Sequence, residues 1–186
     1  MSQIFDVGDA ILFMKIGVHA GEPLEEIIKR KQKEIDDAGF AMWGYGGNTC
    51  HPLTMVQPFA AAHVTSASPI RLVMQEMQSN HFADYVRADE YSIDGEAWEL
   101  VPEDINVYGS RFALCIKNLT KVETSLALGE TKVALGNSQG RRGSAYLNGR
   151  VDKACLEVVA DRDDQPPVHI GLIADLVDPY AVLLKN

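Results

Sequence analysis

The order of hydrophobic and polar positions along the chain predicts a helix near the N-terminus followed by many short strands. Residues 10–19 form an almost continuous apolar run, which is typical of a buried strand. From residue 90 onward, apolar residues alternate with polar ones or form short runs between turn residues, and this pattern favours strands. We predict strands at residues 10–19, 40–45, 69–78, 111–119, 131–135, 151–160, 168–177 and 180–184, and a hairpin at residues 90–100.

Residues 23–38 have the pattern of an amphipathic helix. Pro23 suits its first turn, the acids beside Pro23 favour its positive N-terminal end, and Gly39 can end it. The basic residues of the segment are Lys29, Arg30, Lys31 and Lys33. Because acids are interleaved with this basic cluster, we interpret it as a solvated outer face rather than as a phosphate-binding face. A short helix is also expected near residues 59–63.

The hairpin is predicted around Asp94 and Gly95, the pair that a type I′ turn prefers. A two-residue turn would set Tyr91 opposite Trp98. We interpret the face that carries this pair as part of the core. Its members are Tyr91, Ile93, Trp98 and Leu100.

A helix followed by strands, without regular alternation of the two, predicts an α+β fold. We expect a single domain over residues 1–186, with one N-terminal helix packed on a mostly antiparallel or mixed β-sheet, and leave open a barrel-like sheet. Residues 7–13, V-G-D-A-I-L-F, are similar to the first strand of PUA-like barrels, small domains that hold a flipped or modified base in an aromatic pocket. This resemblance implies a barrel-like architecture.

Composition and charge restrict the class of function. The formal net charge is -9 and the pI is about 5.0, which argues against general binding to a nucleic-acid backbone. We find neither a signal peptide nor a run of about 18 apolar residues, so we expect no membrane span. The three cysteines are Cys50, Cys115 and Cys155. Because their number is odd and no C-x-x-C occurs, we expect no disulfide framework or structural zinc site and a cytoplasmic location.

Residues 39–70 contain no Asp, Glu, Lys or Arg, although 23% of the chain is charged. The stretch is rich in aromatic residues and glycine, a composition shared by concave ligand sites and by buried segments. Within it, Trp43 and Tyr45 are candidates to stack on a planar ligand. Asn48, Thr49 and His51 are candidates to hydrogen-bond the edge of that ligand.

A second unusual stretch, residues 136–150, carries three arginines and no acid. Arg141, Arg142 and Arg150 offer planar donor forks suited to phosphate, and the glycines between them leave backbone N–H groups accessible. The stretch matches neither the P-loop nor the dinucleotide-binding fingerprint. A surface loop with incidental arginines is the alternative interpretation.

Together, the two stretches predict a pocket for a nucleotide-like, phosphate-bearing small molecule. Whether the protein transforms this ligand, which cofactor it uses and whether it forms a homo-oligomer are left open.

Two alternatives come from other functional classes. In the first, a hydrolase or transferase uses His51 or Cys50, with His63 as a further candidate base or ligand. In the second, an interaction or inhibitor protein binds a basic protein partner through the acidic segment at residues 84–104, in which Arg87 is the only basic residue.

Overall fold

The computed structural model describes residues 4–17, 22–63, 68–77, 86–149 and 151–186. The strands in these ranges are β1 (Ala10–Ile16), β2 (Ala41–Tyr45), β3 (Arg71–Glu76), β4 (Glu90–Ser92), β5 (Glu99–Leu100), β6 (Phe112–Leu126), β7 (Thr131–Val133), β8 (Lys153–Val158) and β9 (Val168–Lys185). The α-helices are α1 (Leu24–Ala38), α2 (Gln57–His63) and α3 (Gly143–Tyr146). A π-helical turn, Pro52–Val56, precedes α2, and a 3₁₀ turn, Leu128–Glu130, precedes β7.

The strands form one mixed sheet, which confirms the predicted α+β class. The strand order is β2-β6-β9-β3-β1-β8-β7, and β4 pairs with both β9 and β5. Strands β1 and β3 are parallel, and the other pairs of the described residues are antiparallel. The barrel-like form is wrong: β2 and β7 lie at opposite ends of the order, and within the described ranges no ladder joins these short strands.

Strand β9 is the longest element and was predicted as two strands. Its N-terminal half pairs with β3 on one side and β6 on the other, and its C-terminal half pairs with β4 and β6. Between these halves, the pairing with β6 skips from Leu176 to Ala181, so a bulge at residues 177–180 separates the two predicted strands without ending the ladder. The predicted strand 10–19 ends earlier, at Ile16; its residues 18 and 19 lie outside the described ranges.

The sheet curls around its main core. Side chains of β1, such as Leu12 and Met14, share one buried cluster with Trp43 and Tyr45 of β2, although three strands separate β1 from β2. Helix α1 closes this cluster with Ile27 and Ile28, and α2 contributes to it with Phe59. Two smaller clusters cover the opposite face of the sheet, one around Phe13 and one around Ile105.

Helix α1 has the bounds that its amphipathic pattern predicts. Gly39 ends it with a φ of 88°, and its N–H donates to the carbonyl of Ile35 at 2.9 Å. Among the described residues, no helix is both long enough and apolar enough to cross a membrane.

The hairpin prediction is wrong in its register and its burial. Tyr91 lies opposite Glu99, not Trp98, because the connection spans residues 93–98 instead of two residues. Within it, the Asp94 carboxylate accepts the N–H groups of Glu96 and Ala97, which gives a side-chain-stabilised turn in place of the type I′ turn. The predicted core face is solvent-accessible at its end: Ile93 is 46% exposed and Leu100 is 78% exposed.

The contact between β2 and the segment before β6 gives a stability prediction. A Cβ atom on Gly44 would lie 2.3 Å from Ser110 Oγ and 2.9 Å from Val107 Cγ2. We expect Gly44→Ala to lower the free energy of unfolding by about 1–3 kcal/mol, the usual cost of overpacking. Urea denaturation of the variant and the wild type measures this loss.

Gly46→Ala is the matched control, since a Cβ at Gly46 meets no heavy atom within 4 Å. We expect this variant to keep the wild-type stability. Equal midpoints for the two variants would show that the backbone at Gly44 moves away from Ser110 at little cost.

Candidate functional site

A cleft of about 570 Å³ opens between α1 and the ends of three strands. Its walls are the C-terminal end of β1, the C-terminal end of β2 with the glycines after it, and the beginning of β8. Residues 107–110 close one further side. The cleft volume lies in the range of about 300–1,000 Å³ that is typical of small-molecule sites.

The aromatic wall of the cleft comes from the uncharged stretch. Trp43 and Tyr45 lie two residues apart on β2, so their side chains project from the same face of the strand. Both are 6% exposed, and the Tyr45 hydroxyl donates to the carbonyl of Cys50 at 2.6 Å. Burial raises the pKa of Tyr45. Each ring therefore presents only a small part of its surface to the cleft.

Two glycines, Gly46 and Gly47, follow the aromatic residues and add no side chain to this wall. A Cβ on Gly46 would meet no heavy atom within 4 Å, whereas a Cβ on Gly47 would lie 3.3 Å from Lys153 Nζ. Gly47 also has a φ of 86°, a conformation that disfavours any larger residue. The glycines therefore leave room for a ligand beside Tyr45.

Four cationic side chains line the cleft, in a protein with a net charge of -9. They are Lys15, Arg30, Lys31 and Lys153. This finding corrects the interpretation of the basic cluster on α1 as a solvated face. Lys29 and Lys33 are exposed as expected, but Arg30 and Lys31 face the cleft, and Lys31 is only 3% exposed.

Lys31 and Glu34 form a buried ion pair that fixes one wall of the cleft. Lys31 Nζ lies 3.2 Å from Glu34 Oε2 and donates to the carbonyl of Asn106 at 2.7 Å. The N–H of Asn106 donates to Glu34 Oε1 at 2.8 Å. Burial lowers the pKa of Lys31 to about 8, against the attraction of Glu34, and burial raises the pKa of Glu34. The pair thus ties α1 to the backbone just before residues 107–110.

Arg30 stands at the same wall and retains an unused donor. Its Nη1 pairs with the Glu22 carboxylate, and its guanidinium carbon lies 4.9 Å from the centre of the Tyr108 ring. Arg30 Nε is buried and has no hydrogen-bond partner in the described part of the chain. A buried donor of this kind favours a ligand that supplies an acceptor.

Lys15 and Lys153 lie on the neighbouring strands β1 and β8 at the opposite wall. Lys15 Nζ donates to the carbonyl of Leu147 at 2.8 Å, and no carboxylate of the described residues pairs with it. Lys153 Nζ lies 2.7 Å from Asp152 Oδ1 and 5.8 Å from the centre of the Tyr45 ring. Over the described residues, four cations therefore meet only three carboxylates in this region.

The remaining predicted residues of the uncharged stretch do not line the cleft. Asn48 and Thr49 lie in the bend after β2. His51 caps the π-helical turn: its Nδ1 accepts the N–H of Leu53 at 3.2 Å, and its ring packs edge-on to Phe112 with 5.1 Å between the centroids. Because Nδ1 is used as an acceptor, His51 has a structural partner here.

The predicted arginines do not line the cleft either. Arg141 is exposed on its loop. Arg142 donates to the carbonyls of Gly129 and Asp161 and pairs with the Asp161 carboxylate at 2.7 Å, so its guanidinium holds two loops together. Arg150 lies outside the described residues.

The two unusual stretches nevertheless meet in space, at a second and smaller cavity. This cavity of about 190 Å³ is lined by Cys50 and Met55 from the first stretch and by Asn137, Ser138 and Tyr146 from the second. A Cβ on Gly136 would lie 2.9 Å from Met55 Cε, which confirms the close approach. The stretches therefore come together away from Trp43 and from the arginines.

The residues of the enzyme hypothesis have separate partners. The Sγ atom of Cys50 lies 4.0 Å from the Sγ atom of Cys155, and His63 Nε2 lies 2.8 Å from Glu157 Oε1. Among the hydrogen bonds of the described residues, none joins a cysteine to a histidine. No group of three or more His, Cys, Asp or Glu side chains in these ranges could hold a metal ion. The geometry gives no support to a nucleophile and base built from Cys50 and His51.

Some acidic residues of the segment at residues 84–104 interact with other groups of the chain. Hydrogen bonds from the backbone of Ala97 and Glu96 lower the pKa of Asp94, and Glu90 lies 3.7 Å from Lys185 Nζ. Arg87, its basic residue, donates to the carbonyls of Ile105 and Pro102. Asp84 lies outside the described residues, and binding of a basic partner stays a prediction.

Sequence reasoning missed the cations of the cleft. A signal exists for Lys15, which interrupts a largely apolar strand, because a lysine seldom lies there unless its ammonium group reaches a polar site. Lys153 gives no such signal, since it begins β8 directly after an aspartate. For Lys31 the signal is at least as strong as for Lys15, because Lys31 lies four residues after Ile27 and four before Ile35, in the middle of the apolar face of the helix.

Comparison of the chain with protein-family models, with curated proteins and with solved structures gave no match.

The buried ion pair on α1 gives a second stability prediction. Lys31→Met leaves the Glu34 carboxylate, which is 2% exposed, without its counter-charge. We expect a loss of about 3–5 kcal/mol in the free energy of unfolding, the usual result of removing one partner of a buried pair. Thermal and urea denaturation at pH 7 measure it.

Lys33→Met is the control, because the ion pair of Lys33 with Asp37 lies on the exposed side of the same helix. We expect little change in the melting temperature of this variant. A Lys31→Met variant as stable as Lys33→Met would contradict the structural role of the buried pair.

Proposed function

We propose that this protein binds a nucleotide-like, phosphate-bearing small molecule in the cleft between α1, β1, β2 and β8. The observation that carries the proposal is the composition of its walls. Two aromatic side chains and two glycines share the cleft with four cationic side chains, in a protein that is otherwise strongly acidic. The walls thus combine an excess of one cation over the carboxylates of the described residues with small exposed parts of two aromatic rings.

The phosphate would lie at the end of β1 and β8, where Lys15 and Lys153 both line the cleft. The two residues come from paired strands, but Lys153 lies opposite Met14, so the side chains of Lys15 and Lys153 leave opposite faces of the sheet and meet the cleft at its edge. Lys15 makes its described hydrogen bond to a neutral carbonyl, so its charge remains available to an anion. In this proposal the two lysines bind the phosphate, a role that the sequence hypothesis assigned to Arg141, Arg142 and Arg150.

The planar part of the ligand would lie over the glycines beside Tyr45 and Trp43. Full stacking on an open aromatic face contributes about 1–3 kcal/mol per base. Because Trp43 and Tyr45 are each 6% exposed, the ligand would gain only part of this energy from them. The free Nε of Arg30 and the backbone of residues 107–110 offer hydrogen-bonding groups along the other wall. This division of the cleft into an anionic subsite and a ring subsite favours nucleotides over simple inorganic anions.

The test is a thermal-shift series with nucleoside monophosphates, diphosphates and triphosphates and the matching nucleosides. A ligand at one hundred times its dissociation constant stabilises the fold by about 2.7 kcal/mol. We expect at least one nucleotide class to raise the melting temperature, and its nucleoside to do so much less. Equal shifts from nucleotide and nucleoside would contradict the anionic subsite.

Three variants locate the site by titration calorimetry. We expect Lys15→Gln to weaken nucleotide binding by roughly 10- to 100-fold, the equivalent of one hydrogen bond to a charged group. Gly46→Val, which adds a side chain at the cleft wall, should also weaken it. Arg141→Gln, an exposed arginine outside the cleft, is the control and should bind as the wild type does. Loss of binding in the control alone would move the site to the 136–150 loop.

A further inference from the structure

Three sulfur-containing side chains converge on the smaller cavity. Cys50, Cys155 and Met55 all line this space of about 190 Å³. The two cysteines lie 105 positions apart in the chain, and their Sγ atoms are 4.0 Å from each other. They are 3% and 2% exposed, so solvent reaches neither thiol freely.

The backbone holds each cysteine in place. Cys50 ends the bend after β2 with a φ of 57°, and its carbonyl accepts the Tyr45 hydroxyl. Cys155 lies in the middle of β8, paired with Leu12 of β1. Because both backbones are fixed by hydrogen bonds, the spacing of the two sulfur atoms is set by the fold.

The spacing matches the demands of a metal ion with a third ligand. Two metal–sulfur bonds of about 2.3 Å that span a separation of 4.0 Å meet at an angle of about 120°. This angle is that of trigonal planar coordination, so a third ligand can bind the metal in the plane of the two sulfur atoms. Met55, which lines the same cavity, can supply it with a thioether sulfur.

The other walls of the cavity exclude most metals. They are formed by Val133, Leu135, Asn137, Ser138, Tyr146 and Ala154, without a carboxylate or an imidazole. Hard cations such as Ca²⁺ require several charged oxygen ligands, and structural zinc requires four cysteine, histidine or carboxylate ligands. Thiolate and thioether ligands together select soft cations, Cu⁺ among them.

We propose that Cys50, Cys155 and Met55 form a binding site for a soft monovalent cation of the Cu⁺ type. Binding replaces two S–H bonds by two metal–thiolate bonds and releases two protons, with no change of oxidation state. The product carries one negative charge. Lys153, on the same face of β8 as Cys155 and about 6.6 Å along the strand, can offset that charge.

The site requires both thiols to lose their protons. Because a cysteine binds a metal as the thiolate, protons compete with the cation for the two sulfur atoms. We therefore expect uptake to weaken as the pH falls. This inference does not rest on ligand binding in the larger cleft, although Lys153 is invoked for both sites.

The test is an anaerobic titration of the fully reduced protein against a chromophoric chelator loaded with Cu⁺. We expect the wild type to withdraw one equivalent of Cu⁺ from the chelator. Cys50→Ala and Cys155→Ala should each lose this equivalent, whereas Cys115→Ala should keep it. Cys115 is the matched control, because it is buried in a different cluster on the opposite face of the sheet. Met55→Leu keeps the side-chain volume but removes the thioether sulfur. We expect this variant to bind Cu⁺ about tenfold more weakly than the wild type.

A second measurement uses the wild type alone, so it does not depend on how well the variants fold. The protein is incubated with one equivalent of Cu⁺, alkylated, digested and analysed by mass spectrometry. We expect protection of Cys50 and Cys155 and full labelling of Cys115 under partly denaturing conditions. Equal protection of all three cysteines, or no withdrawal of Cu⁺ from the chelator, would overturn the proposal.

Discussion

The ladder between β6 and β9 is the interaction on which the rest of the structure depends. The two strands pair from Phe112 with Leu183 at one end to Leu126 with Val168 at the other, and three register shifts bend them on the way. Each bulge increases local twist. The outer edges of the ladder then receive β2 on one side, and β3 and β4 on the other. The position of every other strand follows from this bent pair.

The larger cleft is a consequence of that bend. A flat sheet would keep β1 and β2 far apart, because three strands separate them in the order. The curl brings Lys15 of β1 and Tyr45 of β2 to one opening, and α1 covers the core beneath them. The buried pair of Lys31 and Glu34 then fixes the backbone at Asn106 against α1, so residues 107–110 complete the wall. The cleft is thus shaped by contacts between elements that are distant in sequence.

The sequence predicted most of the helices and strands, but not the side-chain contacts that set their register and decide which polar groups are buried. The helix at residues 24–38 and the main strands could be found, because their apolar period is a property of each segment alone. The register of Tyr91 could not, because the Asp94 carboxylate competes with the backbone for the turn. The helical period separates Lys31, on the apolar face, from Lys33, on the opposite one, but it does not show that the carbonyl of Asn106, some seventy residues away, accepts the buried ammonium group.

The same distinction applies to the candidate site. Trp43 and Tyr45 could be selected from composition, since an uncharged aromatic stretch is unusual in this chain. The choice of Arg141 and Arg142 as anion ligands rested on residue type alone, and Arg142 instead holds the loop of Asp161. The type of a residue shows which chemistry its side chain can perform. Whether that side chain lines a cleft depends on which strands the ladder of β6 and β9 brings together.

The charge of the protein adds a condition on any anion that binds. A net charge of -9 repels anions at long range, but at physiological ionic strength this repulsion is screened beyond about 8 Å. Inside the cleft, contacts with Lys15 and Lys153 are shorter than the screening length and lie in partly dry surroundings, where each charge interacts more strongly. Affinity for an anion must therefore come from these short contacts and not from steering. On this proposal, an anion gains electrostatic stabilisation only after it has entered the cleft.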